Sequence, residues 1–168
     1  KNTLNKVELI VFPKSNNNKD VKKVIKLFNH KLDYFKESYP HKNKLIISII
    51  KEKKIKKGIS VSFPIKLRKS FLKLFNQGII NAHPGLIQHN RGRHSAFWSI
   101  YNNTNFGCTL HIMSEKFDHG QVIDQIIYKN DGLCSAKTVH YKSNLARLLI
   151  IKKNLKKILS NNFSFKTS

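Results

Sequence analysis

Short apolar runs alternate with stretches of helical period along this chain, and that alternation limits the folds open to it. "VELIVF" (7–12) reads as a buried strand that Pro13 ends. Asp20 is placed to cap a helix running to about Glu37, because Val21, Val24, Ile25, Phe28, Leu32 and Phe35 keep helical spacing. The apolar run "LIISII" (45–50) is followed by the basic "KEKKIKKG", a solvated helix or loop surface, and then by a second strand, "GISVSFP" (58–64). Leu67, Phe71, Leu74 and Phe75 share one face of a helix expected near 66–75, and "GIINA" (78–82) reads as a third strand. "SAFWSIYN" (95–102) reads as helical; "GCTLHIM" (107–113) and "QVIDQIIY" (121–128) read as strands. A long amphipathic helix is expected from Ala136 to about Leu159, with Tyr141, Leu145, Leu148, Ile151, Leu155 and Ile158 stepping by three and four. Strands alternating with helices imply an α/β fold with a mostly parallel central sheet and flanking helices. In such sheets ligands sit at the carboxyl ends of the strands. The 168 residues suit one domain with a core of its own.

No apolar run approaches the roughly 18 residues that span a bilayer, and "KNTLNKVELIVF" has no signal-peptide pattern. The chain lacks an initiator Met, so a fragment is one reading of it. Two cysteines, Cys108 and Cys134, make no disulfide framework, which suits a reducing, cytoplasmic setting.

The formal net charge of +23 first suggests a nucleic acid or an anionic surface as partner. Yet 28 of the 32 basic residues are Lys and only 4 are Arg, the residue suited to bidentate phosphate recognition. Lys, Asn and Ile share AT-rich codons, so genome bias explains much of the charge. Against that bias one interval stands out: no Lys lies between Lys73 and Lys116. A buried core would also exclude Lys. The interval is nevertheless rich in other polar residues, among them Asn81, His83, His89, Asn90, Arg91, His94, Thr109 and His111. A site lined by selected polar groups fits better.

Within and beside that interval, Asn81, His83 and Asp118 have complementary chemistry. A histidine can take a proton from a nucleophile, a carboxylate can orient it, and an amide can donate to a developing oxyanion. Asn81 and His83 point to one face of a strand, since side chains repeat every two residues. Spacing alone leaves a plain turn built by Pro84 and Gly85 equally open.

Four motifs in order narrow the choice: "NAHP" (81–84 as Asn-x-His-Pro), "RG" at Arg91 and Gly92, Gly107-x-Thr109, and Asp118-x-Gly120. Together they resemble the formyltransferases that use N10-formyltetrahydrofolate, closely over about residues 58–128. "HPG", "NRG" and "DHGQVIDQ" are most similar to the nucleotide-sugar amine N-formyltransferases. The chain departs from that pattern in Gly85-Leu86-Ile87-Gln88 after the His-Pro, in Phe117 before Asp118, and in Arg93 after Arg-Gly. Asn81 also comes about two elements early, as if a first strand and helix were missing or compressed.

The resemblance implies a Rossmann-like formyltransferase fold in a single catalytic domain, 1–168. It implies formyl transfer from N10-formyltetrahydrofolate to a primary amine, most simply that of a nucleotide-linked amino sugar. His83 would accept the amine proton, Asn81 would donate to the tetrahedral oxyanion, and Asp118 would orient His83 and assist the leaving nitrogen. Ser62, Phe63, Pro64, Ser114 and Gly120 would hold the folate; Arg91, Arg93, Phe97 and Trp98 would meet the acceptor. No metal is implied. Partners are then small molecules, folate and nucleotide sugar, with no membrane and with a homodimer left open. Formylation of methionyl-tRNA or another amine, and an inactive basic nucleic-acid-binding module on the same fold, are the lesser readings. Phe97 and Trp98 are also compatible with a helix core. Cys108, His111 and His119 lack the paired spacing of a zinc site.

Overall fold

A computed structural model describes residues 7–28 and 32–160. The chain divides into two compact units. The first holds the described residues up to Lys56 together with 63–75; the second holds 57–62 and the described residues from Asn76 onward.

In the first unit, β1 (Leu9–Phe12), α1 (Asn18–Ile25) and β2 (Asp33–Lys36) form a strand–helix–strand unit. The two strands are parallel, with Leu9 opposite Asp33 and Phe12 opposite Lys36. The helix expected from Asp20 to Glu37 is therefore shorter than its spacing suggested. Asn17, not Asp20, caps it, accepting from Lys19 N–H at 2.8 Å. Phe35, counted on the helical face, sits in β2 opposite Val11, because β1 offers it an open edge to pair with. Of the expected helix, residues 29–31, with His30, lie outside the described residues. "LIISII" becomes α2 (Lys44–Glu52), started by the Asn43 side chain, which accepts from Leu45 and Ile46 N–H. The helix expected near 66–75 is a single turn, α3 (Lys69–Leu72). Beyond it the bonds of Leu74 to Phe71 O and Phe75 to Leu72 O span three residues, so the turn tightens out of α geometry.

In the second unit, β3 (Gly58–Val61), β4 (Ile79–His83), β5 (Phe106–Ile112) and β6 (Val122–Tyr128) form one sheet in that order. β3 and β4 are parallel, as expected; β4–β5 and β5–β6 are antiparallel, so this sheet is mixed. α4 (Ser95–Tyr101) lies between β4 and β5 along the chain, and α5 (Ala136–Ser160) closes the unit.

Alternation splits each strand between two faces. Ile80 and Ala82 of β4, Cys108 and Leu110 of β5, and Ile123 of β6 pack with Ala146, Ile150 and Ile158 of α5. Each fully buried Ile contributes about 1.5–3 kcal/mol. The buried face of α5 is Val139, Ser143, Ala146, Ile150, Asn154 and Ile158. Tyr141, Leu145 and Leu148, expected on that face, are exposed. Ile151 and Ile158, expected there too, do meet the core, so the expected phase holds toward the end of the helix and fails in its first half. The helix contacts the sheet through small and polar residues as well as apolar ones: Asn154 Nδ2 donates to Asp124 Oδ2 of β6 at 2.9 Å, and Lys153 Nζ lies 2.8 Å from the same oxygen. Burial pushes Asp124 up, but these two partners and the Gln125 N–H outweigh it and hold its carboxyl well below the usual range.

Candidate active site

The face of the sheet turned away from the α5 core carries the polar set. Asn81 and His83 of β4 share it with Thr109 and His111 of β5, and the antiparallel register places Asn81 opposite His111 and His83 opposite Thr109. Residues paired across an antiparallel ladder have Cβ atoms about 4.5–5.5 Å apart, so these side chains must meet. Asn81 Nδ2 lies 3.2 Å from His111 Nε2.

Thr109 anchors the turn that follows β4. Its hydroxyl donates to Gly85 O at 2.8 Å and accepts from Ile87 N–H and from Gln125 Nε2. Leu86 and Ile87, where the chain departs from the family pattern, are buried. Gly85 leaves His83 its space: a Cβ there would stand 2.8 Å from His83 Nε2 and 2.7 Å from Ser95 Cβ. His83 Nε2 lies 3.2 Å from the Asn90 carbonyl, to which it can only donate. The network therefore assigns the proton of the neutral ring to Nε2 and the lone pair to Nδ1. Asn90 is itself buried and held, donating to Ser99 at 2.9 Å and Thr104 at 3.0 Å.

Asp118 arrives from the loop between β5 and β6. That loop folds back on the strand end: Ile112 N–H donates to Gln121 O, and Met113 N–H to Ile79 O. Gly120 passes so close to Ile112 O that a Cβ would lie 1.4 Å from it. Asp118 itself adopts φ 50, a left-handed conformation Asp tolerates better than most residues. The result brings Asp118 Oδ2 to 3.3 Å from His83 Nδ1 and Oδ1 to 3.4 Å from His111 Nε2. Gly92 N–H donates to Oδ2 at 2.9 Å.

Burial is the largest influence on His83 and pulls its pKa below 6.5, partly offset by Asp118 and the Asn90 carbonyl. Burial pushes Asp118 up, but the hydrogen bond to His111, the charge of His83 and the Gly92 N–H together hold it below 3.8. The first shift favours a neutral His83, while in the second the His83 and His111 contributions both need a ring proton turned toward the carboxylate. The Gly92 N–H reaches Asp118 in either state, so a neutral imidazole beside an ionised carboxylate is the resting pair.

Asn81, His83 and Asp118 are thus gathered in one place. The other expected residues fall elsewhere. Arg91, Arg93, Phe97 and Trp98 are exposed on the loop and on α4. Phe97, Trp98 and Tyr101 contact one another as a three-ring cluster at the surface of α4, not in a core. Ser62 ends β3 at φ 56 and accepts from Arg147 of α5. Ser114 donates to Lys116 O within the Asp118 loop. Phe63 and Pro64 belong to the first unit. Cys108 points into the α5 core while His111 points to the opposite face of the same strand, which separates two of the three residues that zinc would have needed. His111, Thr109 and Asn90 were not singled out as site residues; the two-residue step from Thr109 to His111 was the available signal.

The polymyxin resistance protein ArnA of Wigglesworthia glossinidia brevipalpis, a bifunctional protein, is 31% identical over 139 residues, covering 81% of this chain and 21% of that protein. GDP-perosamine N-formyltransferase of Brucella melitensis is 37% identical over 68 residues, 40% of this chain and 26% of that one. The chain thus spans between a fifth and about a quarter of these relatives' length. In fold it is similar to the formyltransferase PseJ of Anoxybacillus kamchatkensis, solved with UDP-4,6-dideoxy-4-formamido-L-AltNAc and tetrahydrofolate, at TM-score 0.74 and 15% identity over 96% of this chain and 81% of that one. Residues 5–131 match the formyl transferase family, and the chain belongs to it.

Proposed function

We propose that this chain transfers a formyl group from N10-formyltetrahydrofolate to the amine of a nucleotide-linked amino sugar, with residues 1–168 acting as one catalytic domain. The observation that carries the reading is the His83–Asp118 pair, 3.3 Å apart, beside the Asn81 carboxamide. The activity of the Brucella relative and the ligands of the PseJ structure support the acceptor and donor classes. The two free cysteines are consistent with a cytoplasmic setting.

The donor set fits such a reaction. It offers a carboxamide, an imidazole and a carboxylate, and the Cys108 thiol is not part of it: burial pushes that thiol up to about 12 and it faces the other side of the sheet. The folate, when bound, supplies the formyl carbon and a nitrogen leaving group. Ser62, Ser114 and Gly120 are the positions of the second unit proposed to hold it, and Arg91, Arg93, Phe97 and Trp98 those proposed to meet the acceptor.

The chain's own part follows from the geometry. His83 Nε2 is committed to the Asn90 carbonyl, so the proton from the attacking amine lands on Nδ1. There it bridges to Asp118 Oδ2, which stabilises the imidazolium and is the nearest carboxylate for passing the proton on. One N–H of Asn81 faces His111, leaving the other for an oxyanion; a donor of this kind is worth about 2.7–4 kcal/mol. The test is a panel of nucleotide-linked amino sugars with N10-formyltetrahydrofolate, read by mass spectrometry and by release of tetrahydrofolate. A formylated sugar product is expected; a folded protein that formylates none of them overturns the acceptor, and one that formylates no amine overturns the reaction.

A further inference from the structure

We propose that His111 is a positioning residue of this site, whose Nε2 accepts from the Asn81 carboxamide and so fixes where that amide points. The inference rests on the formyl-transfer reading for its kinetic arm only.

His111 is among the most deeply buried polar side chains of the described residues, at 1% exposure, and it is aimed at the site. Its Nδ1 lies 3.1 Å from the carbonyl oxygen of Ile112, which can only accept, so Nδ1 carries the proton of the neutral ring. Nε2 then has a lone pair, and Asn81 Nδ2 stands 3.2 Å from it as donor. Asp118 Oδ1 stands 3.4 Å from the same nitrogen. With that lone pair the ring ties down the carboxamide beside the Asp118 carboxylate.

The ring is fixed from several directions. The ladder register sets His111 opposite Asn81. A register shift in the β5–β6 pairing between Leu110 and His111 re-aims the strand at this point, as bulges beside sites do. Gly120 is needed nearby as well, since a Cβ there would come within 3.2 Å of His111 Nδ1. The Asn81 carboxamide is thereby oriented from a neighbouring strand of the same sheet. Positioning on a strand holds geometry more closely than a loop does alone.

Two variants separate a positioning role from a packing role. His111→Asn keeps a polar atom near Nδ1 and loses the one at Nε2. His111→Gln restores a hydrogen-bonding group near Nε2. We expect kcat to fall about 10- to 100-fold in His111→Asn, with KM for folate within about twofold, and to recover to within about threefold of wild type in His111→Gln. A folded His111→Asn enzyme with wild-type kcat overturns the proposal, as does a folded His111→Gln no better than Asn.

Imidazole 15N spectra of the unaltered protein give a reading that needs neither activity nor a variant. Neutral His111 is expected as the Nδ1–H tautomer, and the Nε2–H tautomer overturns the proposal. If wild type formylates no amine while the tautomer is Nδ1–H, the formyl-transfer reading fails and the positioning geometry stands.

Discussion

His83 Nδ1 of strand β4 lies 3.3 Å from Asp118 Oδ2, a carboxylate delivered by the loop that follows the neighbouring strand. The opposite ring nitrogen is taken by the Asn90 carbonyl, so in the proposed reaction proton transfer through this histidine would run by way of Asp118. Asp118→Asn should therefore lower kcat by about 10²- to 10⁴-fold, the span of general acid–base catalysis. His83→Ala should do the same. Single-turnover formyl transfer checks both, with circular dichroism to show that the fold persists.

Burial lowers the His83 pKa below 6.5, and this has a signed consequence for stability. On acidification the unfolded chain binds its proton first, near 6.5, while the folded chain resists. Stability from this residue is at its full value above that pH and declines as pH falls toward the folded pKa. Asp118 acts lower: its pKa is held below 3.8, so its contribution is present above that value and is lost as pH falls through the folded pKa. Urea midpoints between about pH 5 and about pH 8 should fall on the acid side in wild type. They should fall less in His83→Gln.

Gly120→Ala should disturb the site from a distance. The new Cβ would sit 1.4 Å from Ile112 O, so the loop carrying Asp118 has to move. Overpacking of this kind costs about 1–3 kcal/mol. The melting temperature should drop, and kcat should drop with it. A variant of wild-type stability and activity would show that the loop has another path.

The phase of α5 is testable by a pair of truncations. Ile150 is fully buried against β4 and β5, so Ile150→Ala should cost about 2–5 kcal/mol. Leu148 is 63% exposed, so Leu148→Ala should change stability by no more than about 0.5 kcal/mol. Denaturant unfolding of the two variants decides it.

The two thiols should behave differently. Cys108 is fully buried with its pKa pushed up to about 12, so a thiolate-specific reagent should leave it untouched in the folded protein. Cys134, partly accessible, should react in native buffer. Titration should give one equivalent before unfolding and two after it.

Period and punctuation made much of the fold legible in the sequence. Alternation in 78–82 and 107–113 identified β4 and β5, and with them the shared face of Asn81 and His83. The order of the four motifs pointed to the family because each motif answers a local need. Gly85 clears space for His83, Thr109 anchors the turn after it, and Gly120 lets the Asp118 loop pass the strand. These needs are met within a few residues or across one ladder, so the chain carries them as pattern.

Tertiary structure decided what depends on a partner far along the chain. Phe35 fits a helical period equally well, and only the open edge of β1 drew it into a strand. The face that α5 buries could not be read from its own leucines, because Asn154 and Ser143 go inward to meet the sheet, Asn154 on Asp124. The sequence placed His111 on the face of Thr109, but only antiparallel register set it opposite Asn81 and only the returning loop set Asp118 beside it. A sequence records which groups a strand presents to each face; which groups then face one another is fixed by pairing and register, and those are properties of the assembled sheet.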